Sequence, residues 1–254
     1  MLLSEVQVDE YSEQGYLLFD SLLSGEEVRR LFDAYERDCA GPGPHRVSKE
    51  GSDRVRAVYA SHLRSPEFAA LIHSPRLLAP ARQLLAADVY VYQFKINAKP
   101  AFGGKGWAWH QDFLAWQQMD DLRSPDLVNV GVFLDDFTEF NGPLIVVPGS
   151  HRCGLVRDGR NTEAESEQHL DPDDISLSPL QMAELVERHS MTSLKGPAGS
   201  VVFFHPELVH GSGPDMSPFP RKFLIATYND VANAPQPLSE PRPEYLVGRD
   251  TTAL

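Results

Sequence analysis

Short apolar or alternating runs dominate the second half of this chain and limit it to a β-rich fold. Gly, Pro, Asn and Asp separate these runs at strand-like spacing. Runs of this length, rich in β-branched and aromatic residues, are typical of antiparallel strands. The predicted strands are 89–98, 127–136, 142–150, 199–205 and 222–230. Together they predict a mainly β protein built as a sandwich or barrel.

The first of these runs, VYVYQFKINA, has a polar face of specific composition. Because strand side chains alternate, Tyr92 and Phe94 share one predicted face, and Gln93, Lys95 and Asn97 share the other. A polar face is either solvated or lines a cavity. The aromatic partner face favours a cavity here.

The first third of the chain has the signals of capped amphipathic helices. In SGEEVRRLFDAYERDC, Ser24 is a predicted N-cap and Glu27 completes a capping box. The segments SPEFAALIHS and SPRLLAPARQLLA each open with Ser-Pro, the order expected of an N-cap and a first-turn proline. We expect these helices to pack on one sheet.

These patterns predict a single domain over residues 1–254. Its predicted parts are a helical N-terminal part (1–87), a β core (88–230) and an extended, proline-rich tail (231–254). A polar, acidic insertion at 155–195 carries one helix capped by Ser178 and is predicted to be a lid.

Composition limits the kinds of partner. The net charge of -13 argues against nucleic acid or an anionic membrane, because a phosphate-rich surface requires clustered cations. Cys39 and Cys153 have no Cys-x-x-Cys spacing, and the acidic N-terminus lacks the features of a secretory leader. We therefore expect a cytoplasmic protein with a small-molecule ligand, and the sequence leaves monomer and dimer both open.

The run WAWHQDFLAW places His110 and Asp112 two residues apart in an apolar setting. In an extended backbone both side chains reach one point in space. A second histidine from FFHPELVHGS, either His205 or His210, would complete a two-histidine, one-carboxylate set. Such a set leaves three positions open on iron(II) and is typical of non-haem oxygenases, whereas structural zinc favours a closed tetrahedral site.

Arg221 and Ser212 favour His210 as the second histidine. His210 and Ser212 share a predicted strand face, and Arg221 opens the next predicted strand after a Pro-rich turn. A hairpin would bring the three together. The guanidinium fork can then hold a carboxylate beside the metal. His205 stays open as the alternative ligand, although Pro206 favours a structural role for it.

The stretches FKINAKPAFGGKGWAWHQDFLAW and NGPLIVVPGSH resemble the phytanoyl-CoA dioxygenase-type hydroxylases, most closely ectoine hydroxylases and, with VRAVYASH and YNDVANAP, bacterial L-leucine 5-hydroxylases. The resemblance implies a double-stranded β-helix, that is, a cupin-like jelly roll with the N-terminal helices packed on one sheet. It also implies iron(II), 2-oxoglutarate as co-substrate and O2. The implied metal ligands are His110, Asp112 and His210; the implied co-substrate contacts are Arg221, Ser212 and Asn97; the implied substrate contacts are Gln93 and Trp116.

The intact Asp112 carboxylate implies hydroxylation instead of halogenation. The resemblance further implies a free aliphatic amino acid as substrate, L-leucine at its 5-position, in natural-product biosynthesis. Ectoine, proline or a carrier-bound residue are alternatives, as is a non-catalytic binding module. Arg56 and Arg242 are candidates to bind the substrate carboxylate, and His62 is a further candidate contact.

Overall fold

Two antiparallel sheets packed face to face form the centre of the protein. The computed structural model describes residues 1–48, 54–104, 106–156, 175–236 and 240–254. Within these residues one sheet, the major sheet, has seven strands in the order β1-β9-β6-β11-β4-β3-β2, and the minor sheet has four in the order β5-β10-β7-β8. The strands are β1 (Tyr16–Phe19), β2 (Arg46–Ser48), β3 (Val55–Tyr59), β4 (Val89–Lys99), β5 (Trp107–His110), β6 (Leu127–Phe133), β7 (Leu144–Val146), β8 (Thr192–Leu194), β9 (Val201–Phe204), β10 (His210–Ser212) and β11 (Arg221–Asp230).

Helices from the N-terminal part cover the outer face of the major sheet, as predicted. The helices are α1 (Glu5–Gln14), α2 (Gly25–Ala40), α3 (Pro66–Ile72), α4 (Pro75–Leu85), α5 (Asp112–Asp120) and α6 (Pro179–His189). The predicted capping box of α2 is present, with Ser24 and Glu27 bonding each other's backbone. Leu31, Phe68 and Leu77 of these helices are buried against Ile96 and Leu224 of the sheet. No described helix is long and apolar enough to cross a membrane.

A second core lies between the two sheets. Phe204 and Phe223 of the major sheet are buried with Leu144 and Val146 of the minor sheet. The sheets remain open at their edges and form no closed barrel within the described residues. A cavity lies between them, lined by residues of both sheets.

The division of the chain differs from the predicted one in two places. The N-terminal part is not only helical, because β1, β2 and β3 come from it and join the major sheet. They are short, and edge or near-edge strands of three to five residues carry little periodicity. The predicted insertion 155–195 ends inside the core, since β8 pairs with β7. Residues 157–174, where the lid was predicted, lie outside the described residues.

The C-terminal tail is packed onto the protein instead of extended away from it. Leu246 and Val247 are buried beside Tyr92 and Trp116. The Gly248 N–H donates to the Tyr92 carbonyl at 2.7 Å, which ties the tail to β4.

A β-bulge in β4 corrects the predicted faces of VYVYQFKINA. Thr227 of β11 pairs with Gln93, but Tyr228 pairs with Val91, so Tyr92 is an extra residue. The bulge moves Tyr92 away from Phe94, which packs under the helices, and into the aromatic cluster around Trp116. Simple alternation does not predict this shift.

Candidate active site

Three buried side chains converge in the space between the sheets. The ligand atoms of His110, Asp112 and His210 all lie within 4.8 Å of one another, and together they could hold a metal ion. The Nε2 atom of His110 is 3.6 Å from Oδ1 of Asp112, and Nε2 of His210 is 3.7 Å from Oδ2. This is the two-histidine, one-carboxylate set that leaves positions open on a metal.

Local structure explains the convergence. His110 ends β5 and pairs directly with His210 of β10, so the two imidazoles lie side by side on neighbouring strands. Gln111 keeps an extended backbone, and Asp112 then begins α5. The buried Gln111 amide donates to the Gly154 and Glu207 carbonyls at 2.9 and 2.6 Å. These bonds fix the backbone between the two ligands.

Both imidazoles are oriented through their second nitrogen. Nδ1 of His110 lies 2.7 Å from the Ala108 carbonyl, and Nδ1 of His210 lies 2.8 Å from the Leu208 carbonyl. A carbonyl only accepts, so each Nδ1 donates its proton to the backbone and each Nε2 is the ring nitrogen that faces Asp112. Burial, together with the His110 charge, lowers the pKa of His210 to about 4 and keeps it neutral. Neutral imidazoles are the form that binds metals.

A polar chain inside the major sheet holds the Asp112 carboxylate. The Asn129 amide donates to Oδ2 of Asp112 at 2.9 Å, and the Thr227 hydroxyl donates to the Asn129 oxygen at 2.7 Å. Burial alone would raise the pKa of Asp112, but Lys95, at 3.9 Å, and the two imidazoles outweigh burial and hold it well below its usual value. The carboxylate is therefore ionised and ready to bind a cation.

Replacing Asn129 with alanine is expected to weaken iron(II) affinity by roughly 10- to 100-fold, because the carboxylate loses the partner that orients it. Thr227→Val, which removes only the outer bond and keeps the side-chain shape, should have a smaller effect. Iron titration of the apoprotein measures both. Equal affinity in wild type and Asn129→Ala would contradict a positioning role for this amide.

A second polar group lies at the buried end of the cavity. Arg221 is 2% exposed, and its Nε donates to the Gly142 carbonyl at 3.1 Å. Burial lowers the pKa of Arg221 to about 10, so the guanidinium stays charged at neutral pH. Arg221 and Ser212 line the same cavity as the triad, as does Asn97. The buried Asn97 oxygen has no hydrogen-bond partner among the described residues and can accept one from a ligand.

The predicted hairpin between Ser212 and Arg221 is wrong. Ser212 belongs to the minor sheet and Arg221 to the major sheet, and the connection between them crosses from one sheet to the other. The two residues therefore face each other across the cavity. The prediction that they lie close together is correct, but the hairpin from which it was made does not exist.

Lys99 is a buried lysine that the sequence reasoning did not include. Its ammonium donates to the Ser212 hydroxyl at 2.7 Å and also to the Gly213 carbonyl. Burial and the nearby Arg221 charge lower its pKa from 10.5 to about 6. Arg221 thus makes this end of the cavity cationic, and Ser212, with Lys99 bonded behind it, adds hydrogen-bond donors suited to a carboxylate.

A bulge in β5 decides which tryptophan of WAWHQDFLAW lines the cavity. Ser212 pairs with Trp107 while His210 pairs with His110, so β5 contains an extra residue. The bulge leaves Trp107 lining the cavity together with His110, and Trp109 packs in a separate cluster with Val147 and Val209.

Four predicted substrate contacts lie elsewhere. Trp116 is 3% exposed and packs edge-on against Tyr92, with ring centroids 5.2 Å apart. Gln93 donates to the Leu246 carbonyl at 3.1 Å. His62 packs on Phe94 with centroids 5.0 Å apart, and burial lowers its pKa to about 4.

Arg242, the fourth, is paired in the interior. Its Nε donates to Oδ1 of Asp120 at 2.8 Å, and its Nη2 contacts Oδ2. None of the four is among the described residues that line the cavity at the triad. Arg56, the fifth, is not among them either, but it stacks on Trp107, which is.

His205, the alternative metal ligand, is not at the triad. Its Nδ1 accepts from the Glu207 N–H at 3.1 Å, and its ring lies 5.0 Å from that of His151. This is the structural role that Pro206 favoured.

The residues missed by sequence reasoning share one signal. Asn129 and Thr227 are polar positions inside apolar strands, LVNVGVF and FLIATYND, and both are fully buried. A polar group in such a run needs a buried partner, which marks it as a candidate for a site. Lys99 is two residues beyond Asn97 on the polar face of β4 and could have been found in the same way.

Comparison with known proteins agrees with this geometry. The family model Phytanoyl-CoA dioxygenase (PhyH) matches residues 11–223. L-proline trans-4-hydroxylase of Streptomyces griseoviridis is 40% identical over 96% of this chain and 92% of its own. Ectoine dioxygenase of Bordetella parapertussis is 37% identical over 97% of this chain and 83% of its own.

The crystal structure of EctD from S. alaskensis with 2-oxoglutarate and 5-hydroxyectoine has a TM-score of 0.84 to this chain. It is 31% identical and covers 97% of this chain and 84% of its own. The predicted cupin-like jelly roll is confirmed by this match. With the family model matching most of its length, the chain belongs to the phytanoyl-CoA dioxygenase (PhyH) family.

Proposed function

We propose that this protein is an iron(II)- and 2-oxoglutarate-dependent dioxygenase that hydroxylates a small free amino acid. The observation that carries the proposal is one cavity with a metal-binding triad beside a buried cationic end. The relatives include a proline hydroxylase and ectoine dioxygenases, which supports an amino-acid substrate class.

In this proposal His110, Asp112 and His210 bind iron(II). The donor set fits the ion, since two imidazoles present Nε2 and one ionised carboxylate completes a facial set. When bound, iron(II) supplies the O2-dependent oxidation that converts a C–H bond to C–OH. The protein positions the reactants and excludes water, since the three ligands are each at most 9% exposed.

Arg221, Ser212 and Lys99 bind the distal carboxylate of 2-oxoglutarate in this proposal. The guanidinium and ammonium supply charge, and the hydroxyl supplies a further donor. Asn97 lines the cavity between this end and the triad and is proposed to contact the same co-substrate.

The depressed pKa of Lys99 predicts that co-substrate binding takes up protons. The free protein carries a largely neutral Lys99 above its pKa of about 6. A bound carboxylate favours the charged ammonium and raises that pKa, so affinity falls as pH rises above 6, by up to about tenfold per pH unit. Calorimetry at pH 8 in two buffers of different ionisation enthalpy should show uptake approaching one proton. The Lys99→Met variant should show no such proton uptake. Equal uptake in wild type and Lys99→Met would contradict the assignment of Lys99 to the co-substrate site.

For the substrate itself, we propose a free aliphatic amino acid, with L-leucine hydroxylated at its 5-position in natural-product biosynthesis. This narrower proposal rests on the sequence resemblance to leucine 5-hydroxylases. The similar proteins described above support two alternatives with the same chemistry, L-proline and ectoine.

A panel of L-leucine, L-proline and ectoine, assayed with iron(II), 2-oxoglutarate and O2, tests the function. We expect substrate-dependent succinate formation and a product heavier by one oxygen. Hydroxylated proline or ectoine without hydroxyleucine would overturn the leucine proposal alone. An anaerobic titration with iron(II) and 2-oxoglutarate tests the class, because absence of a visible charge-transfer band would indicate a binding module instead.

A further inference from the structure

We propose that Arg56, stacked on Trp107, binds the carboxylate of the substrate and so selects free acids. This inference rests on the proposed function. It chooses between the two arginines that the sequence offered for this role.

A β-bulge places Arg56 on the cavity side of the major sheet. Val47 of β2 pairs with Ala57, but Ser48 pairs with Val55, so Arg56 is an extra residue in β3. Ala57 in turn pairs with Asn97, which lines the cavity. Bulges re-aim side chains and are common beside active sites.

The guanidinium of Arg56 lies over the Trp107 ring, 4.7 Å from its centroid. Trp107 lines the cavity together with His110. Trp107 and Lys95 are partly exposed, whereas Arg221 and Ser212 are buried, so Trp107 marks the open end of the cavity. Stacking fixes the plane of the guanidinium and leaves its N–H edge free for a bidentate carboxylate.

Arg242, the other candidate, already has a carboxylate partner. The charges of both arginines lower the pKa of Tyr59, which burial raises, so both lie near this ring. Arg242 forms a bidentate pair with Asp120 in the interior. Within the described ranges Arg56 forms no ion pair with a carboxylate, so its charge remains available to a ligand.

The cations around the cavity outnumber the acids, so the cavity can bind a second anion. Asp112 is the one acid among the described lining residues, against Lys95 and Arg221, with Lys99 behind Ser212. Lys99 and Arg221 are assigned to the co-substrate at the buried end. Arg56 is at the opposite, open end. A substrate with a free carboxylate can pair with the Arg56 guanidinium, whereas an amide or a carrier-bound thioester has no charge to pair with it.

The test compares an amino acid with its primary amide, using the best substrate from the panel. Anaerobic calorimetry on the iron(II)–2-oxoglutarate protein measures binding, and aerobic assays measure KM and kcat. In Arg56→Gln we expect the acid to bind roughly 10- to 100-fold more weakly while binding of the amide stays unchanged. Arg56→Lys should restore part of the preference for the acid. Affinity for 2-oxoglutarate should not change.

The exposed Arg123, replaced by glutamine, controls for loss of a positive charge elsewhere. An unchanged ratio of acid to amide affinity in Arg56→Gln would overturn the inference, as would failure of every acid in the panel to bind the wild type. Binding of the acid that depends on Arg56 but leads to no hydroxylation would overturn the proposed function and leave the inference intact.

Discussion

Replacing Asp112 with alanine is expected to lower substrate-dependent succinate formation by at least about 10³-fold. Replacing a residue that only positions a metal ligand lowers metal affinity or activity by about 10- to 100-fold. Replacing a direct ligand should lower activity further. The variant also removes the negative charge that faces both imidazoles and Lys95. Iron content after reconstitution and initial rates at saturating iron(II) measure the effect.

Two further variants make this result interpretable. Glu139→Gln removes an exposed carboxylate that pairs with Lys195 and does not line the cavity, so it should retain full activity. Asp112→Asn keeps nearly the same shape, so it should fold even if the alanine variant is unstable; thermal unfolding reports this. Near-normal turnover and iron content in a folded Asp112 variant would remove this carboxylate from the metal site.

Replacing Arg221 with glutamine should raise the dissociation constant of 2-oxoglutarate by roughly 10² or more. A carboxylate that stays buried without its cation loses about 3 kcal/mol or more, and each 1.4 kcal/mol corresponds to a factor of ten. Arg221→Lys keeps the positive charge but cannot form two parallel hydrogen bonds to a carboxylate, so we expect an intermediate loss of 2-oxoglutarate affinity. Titration of the ferrous charge-transfer band measures each constant.

Arg30→Gln is the matched control, because Arg30 is exposed and pairs with Glu26 one helical turn away. Its affinity for 2-oxoglutarate should equal that of wild type. A wild-type dissociation constant in a folded Arg221→Gln variant would exclude Arg221 from the co-substrate site. Arg221 also donates to the Gly142 carbonyl, so thermal unfolding is measured in parallel.

Local patterns were enough to predict four of the six described helices, most core strands and the pairing of His110 with Asp112. Ser24 and Glu27 cap α2 through contacts within one turn, which sequence reasoning can find. The strands β6, β9 and β11 are buried runs whose composition predicts them. The spacing of His110 and Asp112 is likewise local, and a short extended link suffices to bring them together.

Bulges and pairing between distant strands were beyond such reasoning. One extra residue in β3, β4 or β5 reverses which side chains face the cavity, and no local pattern marks where it occurs. Trp107 lines the cavity and Arg56 stacks on it for this reason, while Trp109 packs elsewhere.

Local chemistry thus set which groups this chain can offer: two imidazoles, a carboxylate and several cations in apolar strands. Their assignment to a metal end, a buried cationic end and an open end depended on the packing of two sheets. Ser212 and Arg221 show why, since they meet across the sheets and not in a hairpin. Arg56 and Arg242 look equivalent in the sequence, and only folding gives one of them Asp120 as a partner and leaves the other on Trp107.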